Sequence, residues 1–372
     1  MKSKDFTVTP WEVKGDIDYE KLIRNFGVKH IDNKVLQDME KQTGDLHYFL
    51  KRKIFFAHTY LDVILDQMDK KEKFYLYTGR APSGPVHLGH LISWMFCKWL
   101  QDKFGAHLLF QIPDEEKFLF KEGLSMEESK KWAYDNILDI IALGFDPKKT
   151  KIFLDTEYAT GMYSIACEVA KKTTASTAKA LFGLESNDNV GKYFYTCMQS
   201  VPAFLPTKLE GKPTMVLIPC AIDQDVHFRL TRDVAQKLGY PKPSTILCRF
   251  LPSLEGGGKL STSSGVSIQT TDNPKTVEKK INKYAFSGGK DTIEKHRKEG
   301  GNPDIDISYQ YLTYFMEDAN KLKQVYNDYK AGRLLSGELK KIAIDEINKF
   351  LKEHQLKREK AKTQIEKFML RS

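Results

Sequence analysis

Between residue 73 and about residue 270, short apolar runs alternate with stretches of helical periodicity, and no other feature restricts the fold so tightly. The runs are "FYLY", "AHLLFQI", "KIFLD", "TMVLIPCA" and "STILCR". Between them, helices fit at roughly 87–103, 125–143, 160–181 and 223–238. Strand, helix, strand in this rhythm needs long crossovers, which join parallel strands and cover both faces of their sheet. An α/β domain on a parallel sheet is the expectation. Ligands in such sheets bind beyond the carboxyl ends of the strands. The first strand runs out into "TGRAPSGPVHLGH", Thr78 to His90, so chemistry is expected there.

The flanks have a different texture. Residues 1–72 read as a small N-terminal extension, with a strand-like "FTVTPWEV" and short amphipathic helices in "DYEKLIRNFG" and "NKVLQDMEKQTG". After about residue 271 the strands stop. "AFSGGKDTIEKHRKEGG" is a glycine-bracketed basic connector, and "SYQYLTYFM" and residues 321–370 read as helices. In the latter, Leu339, Ile342, Ile347, Phe350 and Leu351 recur at helical spacing and leave lysines on the other face. A length of 372 residues with 41% hydrophobic content leaves room for two or three domains, divided here as 1–72, 73–270 and 271–372.

Charge is uneven along the chain. Of a formal net charge of +9, about +7 falls within residues 321–372, where 14 Lys+Arg face 7 Asp+Glu. A basic helical end suits a polyanion such as nucleic acid, or is simply a solvated helix face. The five cysteines, Cys97, Cys167, Cys197, Cys220 and Cys248, are odd in number and lack metal-ligand spacing. Reduced thiols are expected rather than disulfides or a structural metal. No run approaches a bilayer span, and "MKSKDFTVTPWEV" lacks the apolar segment of a signal peptide. The expectation is a soluble cytoplasmic protein without a membrane partner.

In "TGRAPSGPVHLGH" a strand exit rich in glycine and proline leads into a helix near His87. Exposed backbone N–H groups and the positive helix end attract anions, notably phosphates. The stretch is not a P-loop, because the Gly-Lys-Ser/Thr ending is missing. Gly89 allows a flat ring to lie against the backbone. His87 and His90, three residues apart, would share a face and could donate to phosphate oxygens, pair structurally or hold a metal. A metal would need a third ligand of known spacing, and none is evident. A second element, "LEGGGKLSTSSG" at 254–265, centres on Lys259 with Ser261 and Ser263 nearby. Such a loop suits the clamping of a polyphosphate, or is a plain surface turn.

Together, "HLGH" after the first strand and "KLSTS" after the last resemble the HIGH and KMSKS signatures of class I aminoacyl-tRNA synthetases. "FYLYTGR", "WLQDKFG", "DEEKFLFKE", "YTCMQSVPAF", "LIPCAIDQDVHFRLTRDVA" and "AFSGGKDTIEKHR" are similar to tryptophanyl-tRNA synthetases of the eukaryotic and archaeal type, as are "TPWEV" and "IFFAHTYLDVIL" near the start. The resemblance implies a Rossmann-like catalytic domain with an inserted connecting segment, an all-α C-terminal anticodon-binding domain and a short N-terminal extension. It also implies the reaction: tryptophan and ATP, the latter with Mg2+, give tryptophanyl-adenylate and pyrophosphate, and the acyl group then passes to the 3′-terminal ribose of tRNA(Trp). A homodimer is implied as well.

By motif position, the resemblance makes His87, His90, Lys259, Ser261 and Arg80 the catalytic set, with Arg80 on the α-phosphate and Lys259 and Ser261 on the pyrophosphate. Thr78, Gly79, Gly89, Gln224 and Leu260 join Arg80, His90, Lys259 and Ser261 in the ATP site. Tyr77 and Gln199 match the residues that meet the indole N–H, and Gln111, Glu116 and Gln224 those that bind the α-ammonium and carboxylate. A buried indole N–H needs an acceptor. An acceptor left unpaired by phenylalanine gives discrimination of about 10⁴. Two departures stand out: Thr262 replaces the second lysine of the KMSKS pattern, and Leu260 replaces its methionine, a volume-conserving change.

Three other readings share parts of this pattern. A tyrosyl-tRNA synthetase would want a carboxylate where Gln199 falls. A non-catalytic RNA-binding or signalling relative predicts a damaged signature, whereas His87, Gly89, His90 and Lys259 are all present. A small nucleotidyltransferase has no use for the basic helical end.

Overall fold

A computed structural model describes residues 18–256 and 266–371, together with the backbone of 7–8 and 13–14. Lys259, Leu260 and Ser261 lie outside the described residues. The strands are β1 Thr7–Val8, β2 Val13–Lys14, β3 Lys29–His30, β4 Phe55–Thr59, β5 Phe74–Gly79, β6 His107–Ile112, β7 Thr150–Leu154, β8 Met215–Ala221 and β9 Ser244–Cys248. The strands β1 and β2 form an antiparallel pair, and the other seven form one sheet in the order β3-β4-β9-β8-β5-β6-β7.

From β9 to β7 every neighbouring pair is parallel. All five strands expected from the apolar runs are in this parallel part. The side chains alternate as a pleated strand requires. Phe74 and Leu76 of β5 point into one hydrophobic core, and Tyr75 and Tyr77 into the core on the opposite face. Likewise Met215 and Leu217 of β8 belong to the first core, Val216 and Ile218 to the second. Both faces are covered, which explains why these runs read as continuously apolar.

The chain enters the parallel sheet at β5, adds β6 and β7 on one side, then returns to add β8 and β9 on the other. The direction of winding therefore reverses between β5 and β8, and a crevice opens at their carboxyl ends. Between β7 and β8 lie four helices, Ala159–Lys172, Ala175–Phe182, Val190–Met198 and Val201–Glu210, the inserted segment. The single helix expected over 160–181 is thus two. Thr173 ends the first, and the Thr174 side chain accepts from the Thr177 N–H to start the second, as a threonine N-cap does.

Two findings lie beyond the sequence reading. Strand β4 joins the sheet antiparallel to β9 and β3 pairs antiparallel with β4, so residues before 72 continue the same sheet. The C-terminal helices also share the central core: Ile307, Tyr311, Phe315, Ile344, Ile347 and Leu351 pack into it. A smaller cluster around Leu322, Val325, Tyr329 and Leu339 is their own. The Ser336–Ala361 helix is fastened to the Met126–Ala142 helix by buried polar contacts. His354 Nε2 lies 2.8 Å from Asp139 Oδ1, and Arg358 Nη2 lies 2.6 Å from Asp135 Oδ1. The chain end then returns to β7, with the Leu370 N–H donating to Ile152 O at 2.7 Å. Among the described residues, no helix is long and apolar enough to cross a membrane.

Candidate active site

The crevice between β5 and β8 is a deep cleft. Tyr77, Thr78, Gly79, Arg80, His87, Gly89, His90, Gln111, Glu116, Gln199 and Gln224 all line it. Every described residue expected from the sequence is therefore in one place, although these residues span nearly 150 positions.

The end of β5 sets the floor. Gly79 is needed because a Cβ there would sit 2.8 Å from the Gln111 carbonyl oxygen on β6. The Arg80 N–H donates to that same oxygen at 3.1 Å. The Arg80 guanidinium is buried and donates to the backbone oxygens of Gly84, at 3.2 Å, and Pro85, at 3.0 Å, holding the turn in its loop. Burial lowers its pKa to about 10, partly offset by Asp139 and Asp135. Asn136 Nδ2 donates to Gly84 O at 3.1 Å, so the turn also rests on the Met126–Ala142 helix.

The turn ends at His87, the extended residue before the Leu88–Phe104 helix. The His87 backbone N–H donates to His90 Nδ1 at 3.2 Å, and the two imidazoles stack with centroids 3.6 Å apart. His87 and His90 are thus a fixed pair at a helix N-terminus. With Nδ1 accepting, a neutral His90 ring carries its hydrogen on Nε2. Among the described residues, no group of three His, Cys, Asp or Glu could hold a metal.

The other half of the cleft is a hydrogen-bonded line of side chains. Tyr77, fully buried, has its phenol oxygen 2.5 Å from Gln111 Oε1 and 2.8 Å from Gln199 Nε2. Its ring stands edge-to-face with Phe228 at 5.9 Å. Gln199 ends the Val190–Met198 helix, and one turn earlier Tyr195 places its hydroxyl on Gln199 and 2.8 Å from Glu116 Oε2. Glu116 Oε1 in turn takes the Lys117 ammonium at 2.5 Å. At the far end, Gln111 Nε2 reaches Asp155 Oδ2 at 2.7 Å. Burial, then the nearby Glu115 carboxyl, raise the Asp155 pKa well above the carboxylate range. Burial likewise raises that of Glu115 to about 8.

Gln224 follows β8 and donates to Asp223 Oδ2 at 3.2 Å. The helix that starts beside it is anchored by Asp225, which accepts two bonds from Arg232, at 3.1 and 2.8 Å, and one from Thr245 on β9 at 3.1 Å. The "AIDQD" stretch thus pairs one cleft residue with one internal anchor.

Tyr195, Asp155 and Glu115 were not singled out from the sequence. Tyr195 stands four residues before Gln199, one helical turn, and Asp155 directly follows the "KIFL" strand; both are signals of position that ordinary packing also produces.

A family model for class I tRNA synthetases of the W and Y type matches residues 69–352. The tryptophan–tRNA ligase of Saccharolobus solfataricus is 50% identical over 367 residues, covering 98% of this chain and 95% of its own. The crystal structure of Plasmodium falciparum tryptophanyl-tRNA synthetase matches with a TM-score of 0.89 at 42% identity, covering 95% of this chain and 97% of its own. That of the Encephalitozoon cuniculi synthetase, bound to tryptophan, matches with a TM-score of 0.88 at 35% identity, covering 96% of this chain and 99% of its own.

Proposed function

The chain belongs to the class I tRNA synthetases of the tryptophan and tyrosine type, and we propose that its cleft joins tryptophan to ATP before the acyl group passes to tRNA(Trp). Its activity is that of a tryptophan–tRNA ligase. One observation carries the placement of the chemistry: the phosphate-type turn with His87, Gly89 and His90 and the polar line through Tyr77, Gln199 and Gln111 open into the same cleft.

In this reading the indole enters beside Tyr77 and Gln199, where its N–H finds oxygen acceptors. Gln111, Glu116 and Gln224 hold the α-ammonium and carboxylate. ATP enters as its magnesium complex, part of the substrate, with adenine over Gly89 and Leu260 and the phosphates near Thr78, Gly79, Arg80, His87 and His90. A carboxylate oxygen of tryptophan attacks the α-phosphorus, the bond to the bridging oxygen breaks, and pyrophosphate leaves. His90 offers an Nε2–H, and Lys259 with Ser261 neutralises charge growing on the leaving group. No side chain needs to form a covalent bond, so orientation and charge stabilisation supply the acceleration.

The division at residues 72 and 270 is retained as a functional one, with the C-terminal helices reading the anticodon. Their basic surplus and the exposed Lys349, Lys352 and Lys357 support that role. A homodimer is supported by an apolar patch on the inserted segment: Tyr163, Val190 and Phe194 are 61%, 85% and 37% exposed, and the Tyr163 and Phe194 rings lie 6.2 Å apart. Five free cysteines suit a reducing compartment such as the cytoplasm. Relatives at half identity that are tryptophan–tRNA ligases leave the tyrosine-specific and non-catalytic alternatives without comparable support.

The test is charging of a tRNA(Trp) transcript with labelled tryptophan, with tyrosine in parallel. Charging with tryptophan and none with tyrosine is expected; charging with tyrosine, or with neither, overturns the reading.

A further inference from the structure

The turn that carries His87 and His90 is paired with a short stretch far along the chain. The Leu88 N–H donates to Ile268 O at 3.0 Å, the Thr270 N–H donates to Val86 O at 3.0 Å, and the Thr270 hydroxyl reaches that same Val86 oxygen at 3.2 Å. His87 and Gln269 stand opposite each other in this antiparallel bridge. The pairing holds His87 extended, and the bond from its N–H to His90 Nδ1 depends on that conformation. A bridge this short is not stable by itself in water, so residues 268–270 need support from elsewhere. Two supports are present. Asp272 closes a turn, its carboxylate accepting the Gln269 N–H at 2.9 Å and the Lys280 ammonium at 2.6 Å. From the Ser336–Ala361 helix, Gln355 Nε2 donates to Thr270 O at 2.8 Å and to Asp272 O at 2.9 Å. Only the NH2 of a carboxamide can meet two carbonyl acceptors, so both of its hydrogens are spent on this segment.

The same stretch of helix reaches the other end of the turn. His354 and Arg358, on either side of Gln355 in the chain, are tied to Asp139 and Asp135 of the Met126–Ala142 helix. That helix carries Asn136, whose Nδ2 donates to Gly84 O at 3.1 Å, where the turn begins. We infer that Gln355 is a positioning residue for adenylate formation: by holding Thr270 and Asp272 it keeps residues 268–270 paired with the turn, and so keeps His87 and His90 aimed at the phosphates. Gln355 is not among the described residues that line the cleft; it lines a separate groove with Thr271 and Asp272. The half of the cleft at Tyr77, Gln111 and Gln199 is held by bonds among its own side chains, so loss of the Gln355 NH2 should spare tryptophan binding.

The inference rests on the reading that the turn receives the phosphates of ATP, and a His90 variant separates the two. Wild type, Gln355→Met, Gln355→Glu and His90→Ala are compared in tryptophan-dependent ATP–pyrophosphate exchange and in fluorescence titration with tryptophan, which gives the number of binding sites and their dissociation constant. Methionine keeps the length of the side chain without a donor, and a glutamate carboxylate keeps its shape but sets oxygen against the two carbonyls. Both Gln355 variants are expected to lower kcat per tryptophan-binding site by about tenfold or more, as a displaced catalytic turn does. The tryptophan dissociation constant should stay within about twofold. Gln355→Ala replaces either variant that fails to melt cooperatively. An unchanged kcat per site in the Gln355 variants beside a lowered one in His90→Ala overturns the inference alone. So does a loss of tryptophan sites or affinity as large as the loss of exchange, which is what a loosened fold gives. An unchanged kcat in His90→Ala overturns the phosphate reading of the turn, and the inference with it.

Discussion

A backbone bond decides what His90 can offer a ligand: by accepting the His87 N–H on Nδ1, the ring is left with its donor on Nε2. The sequence pattern placed both histidines on one face but could not reveal this bond, because it depends on the extended conformation of His87 before the helix. Much of the cleft was legible residue by residue through the family resemblance, which names Tyr77, Gln111, Gln199 and Gln224, and all four line the cleft. Tyr195 and Asp155 were not, because their meaning arises from partners on other elements. Lys259 belongs to the same scale. If its ammonium meets charge that grows only as pyrophosphate leaves, Lys259→Ala should lower the adenylate-forming rate by about 10²–10³-fold and leave the tryptophan dissociation constant almost unchanged. Pre-steady-state adenylate formation and tryptophan fluorescence titration measure the two, and equal losses in both would contradict the clamp.

At the scale of elements, the five parallel strands were legible because each is buried on both faces and reads as an apolar run. Strand β4 was not, because only its pairing with β9, far along the chain, makes "FFAHT" a strand. The break at Thr173 and Thr174 carries neither glycine nor proline, and only the threonine N-cap marks it. The approach of β5 to β6 carries a prediction. In Gly79→Ala the new Cβ would meet the Gln111 carbonyl at 2.8 Å, so the strand ends must part where Tyr77 and Gln111 are held. A stability loss of about 1–3 kcal/mol is expected from the forced shift, with a raised KM for tryptophan. Chemical denaturation and exchange kinetics check both, and a variant with unchanged KM would mean that this contact does not position the pocket.

At the scale of the molecule, buried titratable groups tie stability to pH in two opposing ways. Burial lowers the pKa of His47 and of His227 from the ordinary 6.5 to about 4, so between these values the unfolded chain binds protons that the native one does not, and stability rises with pH. Burial raises Glu115 from 4.5 to about 8, so over that window the native protein holds a proton that the unfolded chain releases, and stability falls with pH. Above pH 6.5 the second trend is alone, with a slope of up to about 1.4 kcal/mol per pH unit. Urea denaturation should therefore show stability decreasing from pH 6.5 to 8, and Glu115→Gln should flatten the decrease; a wild-type profile that is flat or rising there would contradict it. The C-terminal helices share the central core, so removing them is expected to unfold the catalytic part rather than isolate it. The central claim is that the cleft at the ends of β5 and β8 activates tryptophan. Amino-acid-dependent ATP–pyrophosphate exchange by the intact chain tests it most directly: exchange that depends on tryptophan and is slower by about 10⁴-fold in kcat/KM with phenylalanine is the expected result, and exchange absent with tryptophan, or faster with tyrosine, would contradict it.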